Sequence, residues 1–157
     1  VDGLKVGEAA QTTAGAGFEV TPFKGFSLDA SWEYYDRLYA AFRPTDFDNS
    51  DKKAKGVVGL PSYNLFDLGV SYKLPLFNNT RELSFRVNVY NLLDETYIAE
   101  LNSNVHADEV IPGTITAANP QGDTYTSAGR VYDGIADVNS GFFGMGRTWS
   151  ASITFKF

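Results

Sequence analysis

From Thr148 to Phe157 polar and apolar side chains alternate without a slip. Thr148, Ser150, Ser152, Thr154 and Lys156 fall on one parity, and Trp149, Ala151, Ile153, Phe155 and Phe157 on the other. A strand turns successive side chains to opposite faces, so this stretch predicts a strand with one wet and one greasy face. Repetition strengthens the constraint. Four further stretches alternate in the same way, with aromatics gathered near their ends, and together they predict five strands near 11–21, 26–42, 62–74, 83–98 and 142–157.

The second stretch puts Phe26, Leu28, Ala30, Trp32, Tyr34, Leu38, Ala40 and Phe42 on its apolar parity and Asp29, Glu33 and Arg37 opposite. Read as one strand, it exceeds the usual soluble length. The third sets Phe66, Leu68, Val70, Tyr72 and Leu74 against Asp67, Gly69, Ser71 and Lys73, and the fourth sets Leu83, Phe85, Val87 and Val89 against Ser84, Arg86 and Asn88. Pro22, Lys24 and Gly25 mark one tight turn, and the segment 75–81 with Asn78 and Asn79 marks another. Between the tight turns lie long polar segments, near 43–60 and 99–141. Alternating short and long connections are the habit of membrane barrels, whose long loops lie outside the cell. A structureless loop of that length fits a compact soluble domain poorly.

Aromatics make up 15% of the chain, and no helix formers cluster at helical spacing. No apolar run approaches the roughly 18 residues of a membrane helix, a limit that does not touch strands. A net charge of −6 argues against a nucleic-acid partner. The absence of cysteine excludes disulfide frameworks and thiolate metal sites. The opening VDGLKVGEAA has neither an initiator Met nor the layout of a secretory signal, so a removed leader or a longer parent chain is expected.

Alternation alone also suits a soluble sandwich, so strand ends have to separate the two architectures. At about 2.3 Å of climb per residue for a tilted strand, an apolar band of about 25 Å takes about eleven residues. Counting back from Phe157 reaches Arg147, a long cation at the height where headgroups begin. Phe23, Phe26, Phe77, Phe155 and Phe157 would form a lower aromatic girdle, and Phe42, Tyr63, Tyr97 and Phe143 an upper one. In a sandwich the same rings would fill the core. Five strands cannot close a barrel, and an open edge in lipid leaves N–H and C=O groups unpaired, so other strands must complete the wall.

Two segments carry a family likeness. Asn91-Leu92-Leu93-Asp94-Glu95-Thr96-Tyr97, and Gly146-Arg147-Thr148-Trp149 followed by Ile153, Phe155 and Phe157, together resemble the C-terminal end of the TonB-dependent outer-membrane receptors. The stretch from Phe142 to Trp149 resembles the Bacteroidota branch in particular. The likeness implies an all-β, antiparallel transmembrane barrel of 22 strands, these being the last five, in the outer membrane of a Gram-negative bacterium. It also implies a plug domain that this chain lacks. Function would then be active uptake of a scarce nutrient such as a metal chelate, cobalamin or a glycan. Implied partners are the rest of the barrel and its plug, the TonB-ExbB-ExbD system, outer-membrane lipid and lipopolysaccharide, and a surface lipoprotein. Trp149, Ala151, Ile153, Phe155 and Phe157 also match the terminal-strand signal read by the barrel assembly machinery, for which an amphipathic edge open to strand addition is the physical basis.

Catalysis has little support. His106 is the only histidine and no GxSxG accompanies it, so a solvated loop role is expected for it and no cofactor is implied. Glu19 and Glu33 could face each other as acid and base, but polar lining of a water-filled lumen is the simpler account. Asp29, Glu33, Arg37, Lys73 and Arg86 are expected to form a mixed-charge network there. The 99–141 segment holds six carboxylates against the single Arg130, a net −5 of the chain's −6. No EF-hand spacing appears, and solvated charge is the expected state rather than a calcium site. Tyr125, Tyr132 and Arg130 are the candidate ligand contacts; the tyrosines can stack on a sugar ring or chelate, or pin the loop. Two other functions stay open: a structural or adhesive outer-membrane barrel without transport, and a soluble carbohydrate-binding β-sandwich.

Overall fold

The computed structural model describes residues 4–47, 50–76 and 81–157, and it is all-β, with 50% strand and 5% helix. Strands β1 (Thr12–Phe23) and β2 (Phe26–Asp36) are followed by the two-residue β3 (Leu38–Tyr39), the helix α1 (Ser50–Lys55) and β4 (Gly59–Leu60). Then come β5 (Tyr63–Leu76), β6 (Arg81–Tyr90), β7 (Ile98–Leu101), β8 (Val131–Tyr132), β9 (Ile135–Ala136), β10 (Gly141–Phe143) and β11 (Thr148–Lys156). The expected turn residues Asn78 and Asn79, and the expected girdle residue Phe77, lie outside the described residues.

The chain forms two compact units. The sheet unit comprises Thr13–Tyr35, Tyr63–Thr96 and Met145–Phe157, and the loop unit comprises the described residues through Thr12, Asp36–Ser62 and Tyr97–Gly144.

The sheet unit is one five-stranded antiparallel sheet in the order β1-β2-β5-β6-β11. Short connections join β1 to β2 and β5 to β6, whereas β2 pairs with β5 and β6 with β11 across the long segments. The β1–β2 hairpin turns on Lys24-Gly25, where Gly25 has φ 87°, a left-handed angle that favours glycine, and its carbonyl accepts from the Lys73 N–H at 2.7 Å. Registers place like residues side by side. Phe26 lies opposite Tyr72, Tyr72 opposite Phe85 and Phe85 opposite Ile153, while Leu28, Val70, Val87 and Ala151 form the next row.

The loop unit contains three two-stranded ladders, β3–β4, β7–β10 and β8–β9. Asp133 (φ 47°) and Gly134 (φ 81°) turn the β8–β9 hairpin, as a two-residue Asp-Gly turn of left-handed angles requires. Nearly all the buried apolar side chains belong to this unit: Leu38, Ala40, Phe47, Val57, Val58, Leu60, Ile98, Leu101, Tyr125, Ile135 and Ala136. Among the described residues of the sheet unit the only buried large apolar one is Tyr63, stacked on Tyr35 at 5.0 Å.

Three expected strands are shorter than alternation alone suggests. The 26–42 stretch breaks at Arg37, whose φ of 54° takes it out of extended geometry while its N–H bonds the Asp36 carboxylate at 2.7 Å. A short acidic side chain that captures the next N–H competes with the ladder, and Asp36 was already the charged exception on the apolar parity. The 83–98 stretch breaks at Asn91 (φ 50°) and Asp94 (φ 58°), two residue types that tolerate the left-handed region. The 142–157 stretch divides into β10 and β11 on either side of 144–147. The long polar segments in turn are not structureless: 43–60 contains a 3-10 turn, Pro44–Phe47, with α1 and β4, and 99–141 contains the β8–β9 hairpin.

Candidate functional site

The sheet unit presents two chemically opposite faces. On one, the aromatic row Phe26–Tyr72–Phe85 and the pair Trp32–Phe66 bracket an aliphatic middle of Leu28, Ala30, Leu68, Val70, Val87 and Val89. Within β5, Phe66 and Leu74 stand about 27 Å apart along this face at ~3.4 Å per residue. Directly opposed residues share a face, so these rows run continuously across the strands. The face is most open on β11, where Trp149 is 73% exposed and Ile153 70%, and its rows in β2 and β5 are mostly half-buried. Phe23 stacks on Phe26 at 4.9 Å beside the Lys24-Gly25 turn, and Phe155 meets Phe157 edge to face at 4.9 Å. Trp32 donates its indole N–H to Asn64 at 2.9 Å, giving the polar end of that ring a partner at the far edge of the apolar rows.

The other face is polar. Asp29 on β2 and Arg86 on β6 form a two-pronged ion pair, 3.0 Å for each contact, across Gly69 of the intervening β5. Arg86 Nε also donates to Asn88 at 2.8 Å, and the Asn88 amide donates to Ser150 of β11 at 3.2 Å. This chain links β2, β6 and β11. Of the other charged residues expected here, Glu33 accepts from the Tyr35 hydroxyl at 2.7 Å, whereas Arg37 lies in the loop unit and bonds Thr12 and the Gln11 carbonyl.

The two segments that carry the family likeness touch each other. The Asn91 amide donates to the carbonyls of Glu95 (2.8 Å) and Met145 (3.1 Å), and its Oδ1 accepts from the Glu95 N–H (2.8 Å). Asp94 accepts from the Arg147 N–H at 2.7 Å, and the Arg147 guanidinium reaches Asp94 at 3.9 Å and the Leu92 carbonyl at 3.4 Å. Asn91 is buried and all its polar atoms are used. Arg147, expected at a membrane interface, fastens the segment after β6 to the start of β11.

In the loop unit the expected site residues have separate jobs. Tyr125 is buried, with the Arg130 guanidinium 5.4 Å over its ring, and Arg130 in turn pairs with Asp137 at 3.0 Å. The hydrogen bond and charge of Asp137 raise the Arg130 pKa, keeping the guanidinium charged. Tyr132 packs edge to face on Phe143 at 5.4 Å, leaving both partly exposed. Tyr97 lies against Gly144, where a Cβ would enter its ring, and its carbonyl accepts from the Gly144 N–H at 2.8 Å. Phe42, expected at a strand end, instead meets Phe47 edge to face at 5.3 Å, because the strand has already ended at Asp36. Among the described residues no group of three His, Asp or Glu side chains converges as metal ligands.

A cleft of about 570 Å³ opens in this unit, lined by residues 41–43, 47, 52, 55–56, 102–106 and 109. His106 lines it and is half-buried, with Nε2 3.0 Å from the Gly56 carbonyl, which corrects its expected role as a merely solvated loop residue. Lys55 of α1 pairs with Asp108 at 2.8 Å, and that hydrogen bond lowers the Asp108 pKa. Sequence reasoning missed this cleft because it joins segments about fifty residues apart. The Lys52/Lys55 spacing was its one local sign.

No family model, curated protein or solved structure matches this chain.

Proposed function

We propose that this chain forms part of the wall of an outer-membrane β-barrel, the C-terminal region of a 22-stranded TonB-dependent receptor that imports a scarce nutrient. One observation carries the barrel: continuous apolar rows, ending in the exposed Trp149 and Ile153, that none of the described residues buries. Scattered apolar residues are normal on soluble proteins, but continuous rows of this kind need an apolar partner. Burying each such side chain is worth about 1.5–3 kcal/mol, and hydrocarbon supplies that without a second protein layer. A soluble sandwich requires such a layer over Trp149 and Ile153, and none of the described residues provides it. The free edges of β1 and β11 support the same reading, since in lipid each needs a further strand.

The polar face, with its Asp29–Arg86–Asn88–Ser150 chain, suits a water-filled lumen. The uptake half of the proposal rests on the resemblance of the Asn91–Tyr97 and Gly146–Phe157 segments to the receptor family. The two segments also hydrogen-bond each other, through Asn91 to the Met145 carbonyl beside the second segment and through the Arg147 N–H to Asp94. On this reading β11 also supplies the assembly signal, and plug, TonB-ExbB-ExbD and lipopolysaccharide are its partners.

The test has two arms. The full-length protein should fractionate with outer membranes and migrate differently on a detergent gel before and after boiling; a water-soluble monomer would end the barrel reading. Growth on the imported nutrient should require an intact TonB system; growth that survives TonB deletion would leave a barrel that does not pump.

A further inference from the structure

We infer that the cleft between α1 and the 99–141 segment binds a small organic anion, with an oxyanion head on Lys52 and Lys55 and an apolar ring on Phe42 and Phe47. The proposal concerns the loop unit alone and does not depend on the uptake reading.

Charge is the first argument. The chain carries −6, and most of that lies in 99–141, yet among the described residues the cleft lining holds Lys52 and Lys55 against one carboxylate, Glu109. Glu109 is already engaged, accepting from the His106 N–H at 2.9 Å. Lys55 gives one hydrogen to Asp108 and keeps two more donors. Lys52 has no carboxylate partner among the described residues. An acidic protein that gathers cations into one concavity offers it to an anion.

Helical spacing makes the arrangement selective. Lys52 and Lys55 are three apart and share a face of α1, whereas Lys53 carries the same charge but does not line the cleft. His106 Nε2 lies 3.0 Å from the Gly56 carbonyl, which can only accept, so the ring donates there and ties the 99–141 segment to the end of α1.

Shape and apolarity supply the rest. A volume of about 570 Å³ is that of a small-molecule site rather than a groove for a chain. Phe47 is buried and holds Phe42 edge to face, so the wall beside the ammonium groups is a fixed aromatic surface. Phosphate, sulfate and carboxylate share the required head chemistry, and a lipid A phosphate is one further source of it.

The experiment uses the full-length protein in detergent micelles and calorimetric titration with phenyl phosphate, inorganic phosphate and benzyl alcohol, with lipid A vesicles as competitor. Phenyl phosphate should bind more tightly than inorganic phosphate, and benzyl alcohol should not bind. Lys52→Gln with Lys55→Gln should weaken phenyl phosphate about tenfold or more, while Lys53→Gln changes it less than about twofold, as expected where only the lining lysines touch the anion. Unchanged amide-exchange protection in the 99–141 segment establishes that the variants keep the loop unit folded. Equal losses from K53Q and K52Q/K55Q, binding of benzyl alcohol as tight as that of phenyl phosphate, no binding of any soluble probe, or occupancy by lipid A alone would each overturn the proposal.

Discussion

Asp29 and Arg86 stand two strands apart and meet over the bare backbone of Gly69. Any side chain at position 69 would enter the space their tips occupy, so the glycine serves a contact between its neighbours. Both partners are more than a third exposed, which keeps the pair in the range of about 0.2–1 kcal/mol. Its larger effect is to fix where charge sits on the polar face.

Gly69→Ala should therefore cost no more than that, because the obstructing atoms are the movable ends of two side chains. The loss should vanish in a background already carrying Asp29→Asn. A double-mutant cycle by denaturant unfolding measures this, and additive losses would show that Gly69 acts through the backbone instead.

Asn91→Ala should be the more severe change, by about 2–4 kcal/mol. It leaves the Glu95 N–H and the Met145 carbonyl without their partner and puts a Cβ residue without a helpful side chain at positive φ. Asn91→Gly relieves the backbone but not the lost bonds, and should fall between. The fraction of unboiled protein running as the folded species reports the order.

Parity can be tested one residue at a time on β11. Ala151→Arg points into the aliphatic rows and should cost about 2–4 kcal/mol if that face meets the middle of a bilayer, whereas Ser150→Arg or Ser152→Arg should be tolerated. Folded yield in outer membranes is the readout. Equal tolerance at 150, 151 and 152 would contradict a lipid-facing surface.

Acid should loosen α1 from the 99–141 segment. The Asp108 pKa is lowered by the Lys55 hydrogen bond, so this contact contributes fully above the ordinary carboxylate value of 3.8 and is lost as pH falls through the lower folded value. The group is well exposed, so the effect is local and small. Amide exchange in residues 50–55 between pH 5 and pH 2 should show it, and Asp108→Asn should remove the pH dependence.

Alternation by itself determined the sheet, because a two-residue period has no other economical backbone: β1, β2, β5, β6 and β11 all run where polar and apolar residues take turns. The same local rule decided which residues share a face, and so the rows from Phe26 to Ile153 and from Leu28 to Ala151. Where the strands stop was also partly written in the chain, in Asp36 on the wrong parity and in Asn91 and Asp94, although a pattern built on side-chain polarity passes over backbone angles. The Asp133-Gly134 turn was a plain hairpin signal inside a segment that otherwise read as loop. Only the tertiary structure decided the rest, since it depends on contacts between distant residues. Asn91 meets Met145, Lys55 meets Asp108 and His106 meets Gly56 because the fold closes long loops, and no periodicity in a sequence encodes which ends will meet.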